Sequence, residues 1–181
     1  MAVSCYLTRR YVLKGILKLI HLRELKESDL LSIQSHASNP EIGKMSNVPS
    51  PYPPDGAKAW FAHVLPLIKS NRVKVFVIEN DGDFSGLITL NNLSIKDKRA
   101  SVDYWIRADF HGKGIGTQAV KKVIEIAASL GIEKFSSGCL ARNTGSKKVL
   151  LKNGFEFNES IVARNGKFMG EDILLFTLER T

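Results

Sequence analysis

Cysteine is scarce in this chain: Cys5 and Cys139 are the two among 181 residues. So few exclude a disulfide framework and fit a reducing compartment, with the cytoplasm as the expectation. Histidine is scarce too, and His21, His36 and His63 stand at no ligand spacing from a cysteine or carboxylate. That leaves a metal site without support. Long apolar runs are missing. The stretch from Tyr11 to Ile20 is broken by Lys14 and Lys18, and none approaches the roughly 20 residues that span a bilayer. Also missing is any block of lysine and arginine: 26 basic and 18 acidic residues, a net charge of +8, are spread along the chain. A basic surface suits nucleic acid, acidic protein, an anionic membrane face or a phosphorylated cofactor. A dispersed one without interleaved surface aromatics argues against nucleic acid.

What is present is enough apolar material for one domain with a core, 44% hydrophobic against 24% charged. Residues 1–15 carry Arg9 and Arg10 with no long apolar segment behind them. They are read as a native extension ahead of a domain over 16–181, with a transit peptide as the alternative and a signal peptide excluded. Periodicity and breakers predict strands over 16–23, 73–79, 84–93, 99–107 and 134–141, and a final hairpin over 155–162 and 172–179 turned by Asn165-Gly166. Helices are predicted over 27–36 with a cap at Ser28, over 55–69 with Pro66 kinking or shortening it, over 116–130 and over 145–153. Five prolines between Asn39 and Pro54 predict a loop with no regular element. Trp60 and Phe61 fall on an apolar helix stripe and are assigned to the core; Tyr52 flanks the proline-rich loop. A run of strands followed by strand–helix–strand–helix predicts an α+β, or mixed α/β, single domain.

One stretch asks for a ligand. In HGKGIGT the residues His111, Gly112, Lys113, Gly114, Ile115, Gly116 and Thr117 join a strand to a helix. Three alternate glycines are costly in a folded chain. Free N–H groups at a helix start and the helix dipole make an anion site, and glycine lets a bulky anion reach the backbone. Lys113 adds a charge and Thr117 a hydroxyl. The spacing is neither that of a nucleoside triphosphate loop nor that of a dinucleotide fingerprint. A pyrophosphate cradle and a flexible turn both remain open at this point.

A second stretch, ARNTGSKKVLLKNGFEF, follows the next predicted strand. Taken with VDYWIRADFHGKGIGTQAV, it resembles the GNAT acetyltransferase superfamily and, within it, the RimJ/RimL-like branch. Tyr104, Trp105 and Ile106 match the aromatic strand of that branch; Asn143, Ser146, Lys152, Gly154 and Phe155 match its second region at the same spacings. GLITLNNL and HLRELKESD add to the resemblance, which covers residues 17–178.

The resemblance implies a central twisted, mostly antiparallel sheet with one splayed parallel strand pair, flanked by helices. It implies an N-acetyltransferase that uses acetyl-CoA, needs no metal, and acts on an amine: a protein N-terminus or a small molecule such as an antibiotic. A homodimer is admitted by it. The pyrophosphate would lie on residues 111–117, and the pantetheine arm between the strand ending at Arg107 and the strand near Cys139. A backbone N–H near Ile106 would polarise the thioester carbonyl. Asn143 and Lys148 join the coenzyme candidates, Asn143 with a helix cap as the rival role. Lys147 and Arg142 stay ambiguous between phosphate contact and solvated surface. Ser146 is the candidate acid for the leaving sulfur, because Leu150 holds the position where many relatives carry a tyrosine; a capping role is its rival. For the base, Asp103 competes with Glu171 and Asp172, since Ser101 stands where the branch often has glutamate. Cys139 is read as a small buried residue rather than a covalent acetyl carrier. These departures keep alive an acyl-CoA-binding regulatory module without turnover.

Overall fold

The computed structural model describes residues 20–180, so the N-terminal extension and the first residues of the first predicted strand lie outside it. Seven strands form one sheet: β1 (Ile20–Glu24), β2 (Lys74–Asn80), β3 (Asp83–Ser94), β4 (Arg99–Ile106), β5 (Lys134–Leu140), β6 (Glu156–Val162) and β7 (Asp172–Glu179), in the order β1-β2-β3-β4-β5-β7-β6. Every neighbouring pair is antiparallel except β4 and β5. The continuous apolar run Val75–Ile78 explains why β2 lies inside, covered on both faces. Asp81 and Gly82, both at positive φ, make the two-residue turn from β2 to β3.

Helices cover both faces. On one, α4 (Ile115–Ser129) lies over β1, β3 and β4. Its residues Ala119, Val120, Val123, Ile124 and Ala127 recur at helical spacing and are all buried. They join Ile88, Val102, Phe155 and Phe176 in the larger core. On the other face, α1 (Leu30–Ala37) and α3 (Gly56–Lys69) close a second core around Ile33, Val64, Val77 and Leu87, with Trp60, Phe61 and Trp105 against it.

Four expectations meet a different outcome, in whole or in part. The segment 39–54 is not wholly irregular: Pro40–Met45 forms α2. Proline is tolerated at the first helical position, where its missing N–H has no partner to lose, and the Asn39 side chain accepts from Glu41 N at 3.0 Å. Ser28 does not cap the first helix. It sits within a 3-10 turn over Glu27–Asp29, and the side chain holding that turn is Asp29, accepting from Lys26 N at 2.8 Å. Of the two outcomes expected at Pro66, early termination does not occur: the residue lies inside α3, which runs on to Lys69. The final hairpin has its two strands, but Asn165-Gly166 lies within a longer connection, residues 163–171, that reaches over α2.

Candidate functional site

The site begins where the sheet comes apart. Strands β4 and β5 pair only through Arg99–Lys134, Ala100–Phe135 and Ser101–Ser136, then diverge while β4 continues to Ile106 and β5 to Leu140. At the crotch of this fork the buried Ser137 hydroxyl donates to Val102 O at 2.8 Å, satisfying the first β4 carbonyl left without a strand partner. Beyond it runs a cavity of about 1260 Å³ that passes through the sheet. Ile106, Gly112, Gly114, Gly116, Thr117, Ser146 and Lys148 line its α4 side; Ile33, Trp60, Thr89 and Asp103 line its α1–α3 side.

The glycine turn has two separate reasons for its glycines. Gly112 and Gly114 sit at φ +74° and +78°, a region that favours glycine, and a Cβ on either would meet nothing within 4 Å. The space beside both is open. Gly116 is helical and lies close to Tyr104 and Val149, which a Cβ would meet at contact distance, 3.4 and 3.5 Å. Since α4 starts at Ile115, its first free N–H groups point into the open space of the turn. Pyrophosphate therefore fits: an anion could lie on the N–H groups of this turn without moving the protein.

Helix α5 (Thr144–Lys152) starts beside the fork. Asn143 caps it, Oδ1 accepting from Ser146 N at 3.0 Å, while Asn143 Nδ2 donates to Met45 O at 3.2 Å. Such a cap holds the helix start by about 1 kcal/mol. Ser146 is thus the capped residue and not a cap, and its hydroxyl is left for other work. Ser146 Oγ lies 3.1 Å from Tyr104 Oη, and Ser146 and Cys139 both line the cavity. Burial pushes the Tyr104 phenol up to about 12, the bond from Ser146 opposing it. Burial likewise raises the Cys139 thiol, so a buried, protonated cysteine is what the site contains. Leu150 is fully buried core and has no chemical role here.

On the opposite face of β4, Asp103 meets cavity solvent but is enclosed by protein around its remaining sides, and that desolvation raises its carboxyl above the ordinary aspartate value. Asn91 Nδ2 opposes the shift, donating to Asp103 Oδ2 at 2.6 Å and to Thr89 Oγ1 at 3.0 Å. Asp103 forms no ion pair among the described residues. Its rivals differ. Glu171 is gripped by Arg142 at 2.6 and 2.9 Å, which lowers its carboxyl, and Asp172 does not reach the cavity. Arg142 is thereby committed to Glu171 and to Lys44 O rather than to a phosphate.

Of the coenzyme candidates, Ile106, His111, Gly112, Gly114, Ile115, Gly116, Thr117, Asn143, Ser146 and Lys148 converge on the cavity. Arg107 and Lys113 do not. The Arg107 guanidinium bonds Asp109 and Phe84 O, and both cations lie over the Phe110 ring. His111 Nε2 bonds Ile106 O at 2.8 Å, tying the turn to the end of β4. Sequence reasoning missed Ser137, Asn91, Lys167 and the contact of Tyr104 with Ser146. The period of two along β4, which puts Tyr104 on the face of Val102 and Ile106, was the signal for the last. Among the described residues no cluster of metal-ligating side chains occurs, and no helix is long and apolar enough to cross a membrane.

Known proteins share this fold. Residues 20–156 match the model of the acetyltransferase (GNAT) domain family. The chain is 32% identical over 83 residues to the ribosomal-protein-serine acetyltransferase of Escherichia coli K12, 45% of this chain and 46% of that protein. It is 33% identical over 102 residues to the putative ribosomal N-acetyltransferase YdaF of Bacillus subtilis, 54% of this chain and 55% of that protein. The chain thus spans about half the length of these two curated relatives. The coenzyme A complex of RimL, a ribosomal L7/L12 alpha-N-protein acetyltransferase, shares the fold with a TM-score of 0.81 at 18% identity, over 89% of this chain and 94% of that one.

Proposed function

The chain belongs to the GNAT acetyltransferase domain family, and from that premise we propose that it moves an acetyl group from acetyl-CoA to a primary amine, with a protein N-terminus as the acceptor class, in line with the ribosomal-protein acetyltransferases among its relatives and the alpha-N-protein acetyltransferase that shares its fold. The observation carrying this reading is the cavity through the sheet. Its α4 side offers an anion cradle and a fork whose backbone groups lack strand partners; its α1–α3 side offers one carboxylate without a cation. A phosphorylated donor and a cationic acceptor can therefore meet from opposite faces.

In this reading the turn 111–117 holds the pyrophosphate and the fork holds the pantetheine arm. Asp103 accepts the proton that the ammonium must lose before nitrogen can attack. The backbone N–H at Ile106 stabilises the oxyanion, and Ser146 faces the departing sulfur. Fixing amine and thioester in one narrow passage supplies much of the rate. Acetylation of newly made proteins is consistent with a cytoplasmic setting. One carboxylate at the acceptor end suits a monocation better than a polycation.

The test is a panel of peptides with free N-termini, peptides with internal lysine, and small amines including an aminoglycoside, incubated with acetyl-CoA and read by thiol release. N-terminal peptides are expected to give the highest kcat/KM. Preference for the aminoglycoside would replace the acceptor class. Coenzyme A binding without turnover on any amine would make the chain a binding module.

A further inference from the structure

We propose that Tyr104 is a positioning residue for sulfur departure: its phenol donates to Ser146 Oγ and so aims the serine's own hydrogen into the fork. The inference rests on the acetyl-transfer reading. It stands first on geometry. Tyr104 on β4 and Ser146 on α5 face each other across the mouth of the fork, 3.1 Å apart, and both line the cavity. Ser146 has one hydrogen and two lone pairs. Its N–H is already committed to Asn143. If serine donated to the phenol, nothing would remain for a sulfur in the cavity. A phenol is the stronger acid of the two hydroxyls and the better donor. Burial keeps it protonated, with its ionisation pushed up to about 12, so the donor persists across any working pH. The serine hydrogen is then left for a sulfur in the cavity that Ser146 lines.

The chemical consequence is limited and balanced. Nitrogen forms the new C–N bond, the C–S bond breaks and its electron pair goes to sulfur; one proton leaves the amine and one reaches the sulfur. A fixed O–H···S hydrogen bond stabilises the charge that develops on sulfur in this step. Because Ser146 makes that bond in either variant background or not at all, Tyr104 should contribute only through it.

Tyr104→Phe keeps the ring that packs beside Gly116 and removes the donor. It should lower kcat about tenfold with acetyl-CoA KM nearly unchanged, and the double variant Tyr104→Phe/Ser146→Ala should be no slower than Ser146→Ala alone. A binding readout needs no acceptor: at a pH where the bound thiol is ionised, the wild type should prefer coenzyme A over desulfo-coenzyme A by about tenfold, with the preference lost in both single variants. Unchanged kcat in Tyr104→Phe, or losses that multiply in the double variant, would overturn the assignment. So would a retained preference for the sulfur. Failure of every amine in the panel would sink the transfer reading alone, and the desulfo comparison would still decide the role of Tyr104. Melting curves report folding; should Phe not be accepted, Tyr104→Leu carries the same comparison.

Discussion

Asp29 and Asp103 are both hemmed in by protein, Asp29 buried and Asp103 still open to the solvent of the cavity, yet they end in opposite states. Asp29, 7% exposed under β1, receives two bonds from Arg23 at 2.7 and 2.8 Å and one from Lys26 N. The Arg23 guanidinium, which also holds Glu79, pulls its carboxyl below the ordinary value despite burial. Asp103 has an amide as its partner and no cation, and burial prevails. The lesson is one of supply. Where the fold provides a counter-charge, the carboxylate ties elements together. Where it withholds one, the carboxylate is left to meet a charge from outside.

The widest separation of the two should come from Asp103→Asn. As base, Asp103 should be worth about a hundred- to a thousandfold in kcat/KM. Its folded-state value is raised, so the native state binds more protons than the unfolded chain through that window, and stability falls as pH rises through it. Activity runs the other way, because the base works only when ionised. The acid limb of the wild-type kcat/KM profile should lie above the usual carboxylate value of about 4 and should vanish in the variant, while melting at neutral pH holds steady or improves. A variant that loses stability with unchanged kcat/KM would make Asp103 a structural residue like Asp29.

Asp29→Asn should show the mirror image: about 2 kcal/mol of stability lost, with kcat near wild type. Arg23 remains partly exposed, its side chain 30% accessible, which keeps the loss below that of a fully buried pair. Here the folded value is depressed. The contribution is present above the unfolded value of about 3.9 and disappears as pH falls through the folded one. Melting between neutral and acid pH should therefore drop more steeply in the wild type than in Asp29→Asn.

How much of this was legible beforehand follows the reach of the signals. Helix α4 and strand β2 are written in short-range patterns, and both appear within a residue of their expected bounds. The glycine turn was legible as a place where the backbone needs glycine, since Gly112 and Gly114 both sit at positive φ. Helix α2 was not, because proline at a helix start and proline in a loop look alike without the Asn39 cap geometry. Asp103 could be proposed but not separated from Glu171, since the separation depends on Arg142 lying 29 residues away in the chain. Ser137 and the Tyr104–Ser146 pair, 35 and 42 residues from their partners, are long-range facts of the fork and carry no local mark.

The smallest expected effect concerns the roof of the cavity. The connection between β6 and β7 places Lys167 Nζ on the carbonyls of Gly43, Ser46 and Val48, the last two at 3.1 and 2.6 Å, where α2 ends. Arg142 adds a bond to Lys44 O at 3.0 Å, and both cations flank the Phe168 ring. A cation at a helix C-terminus is favourable by a few tenths to about 1 kcal/mol, and carbonyls this near the surface regain water when it leaves. Lys167→Met keeps the stem and removes the charge, so stability should fall by less than about 1 kcal/mol. The roof covers the acceptor side, where Met45, Val48 and Phe168 line the cavity. Loosening it should raise KM for the best acceptor by about two- to fivefold at constant kcat, through ordering that must then accompany binding. Steady-state kinetics at saturating acetyl-CoA separate the two constants. A fall in kcat at constant KM would show that the roof positions the reacting groups themselves, and would join it to Asp103 on the functional side of the comparison.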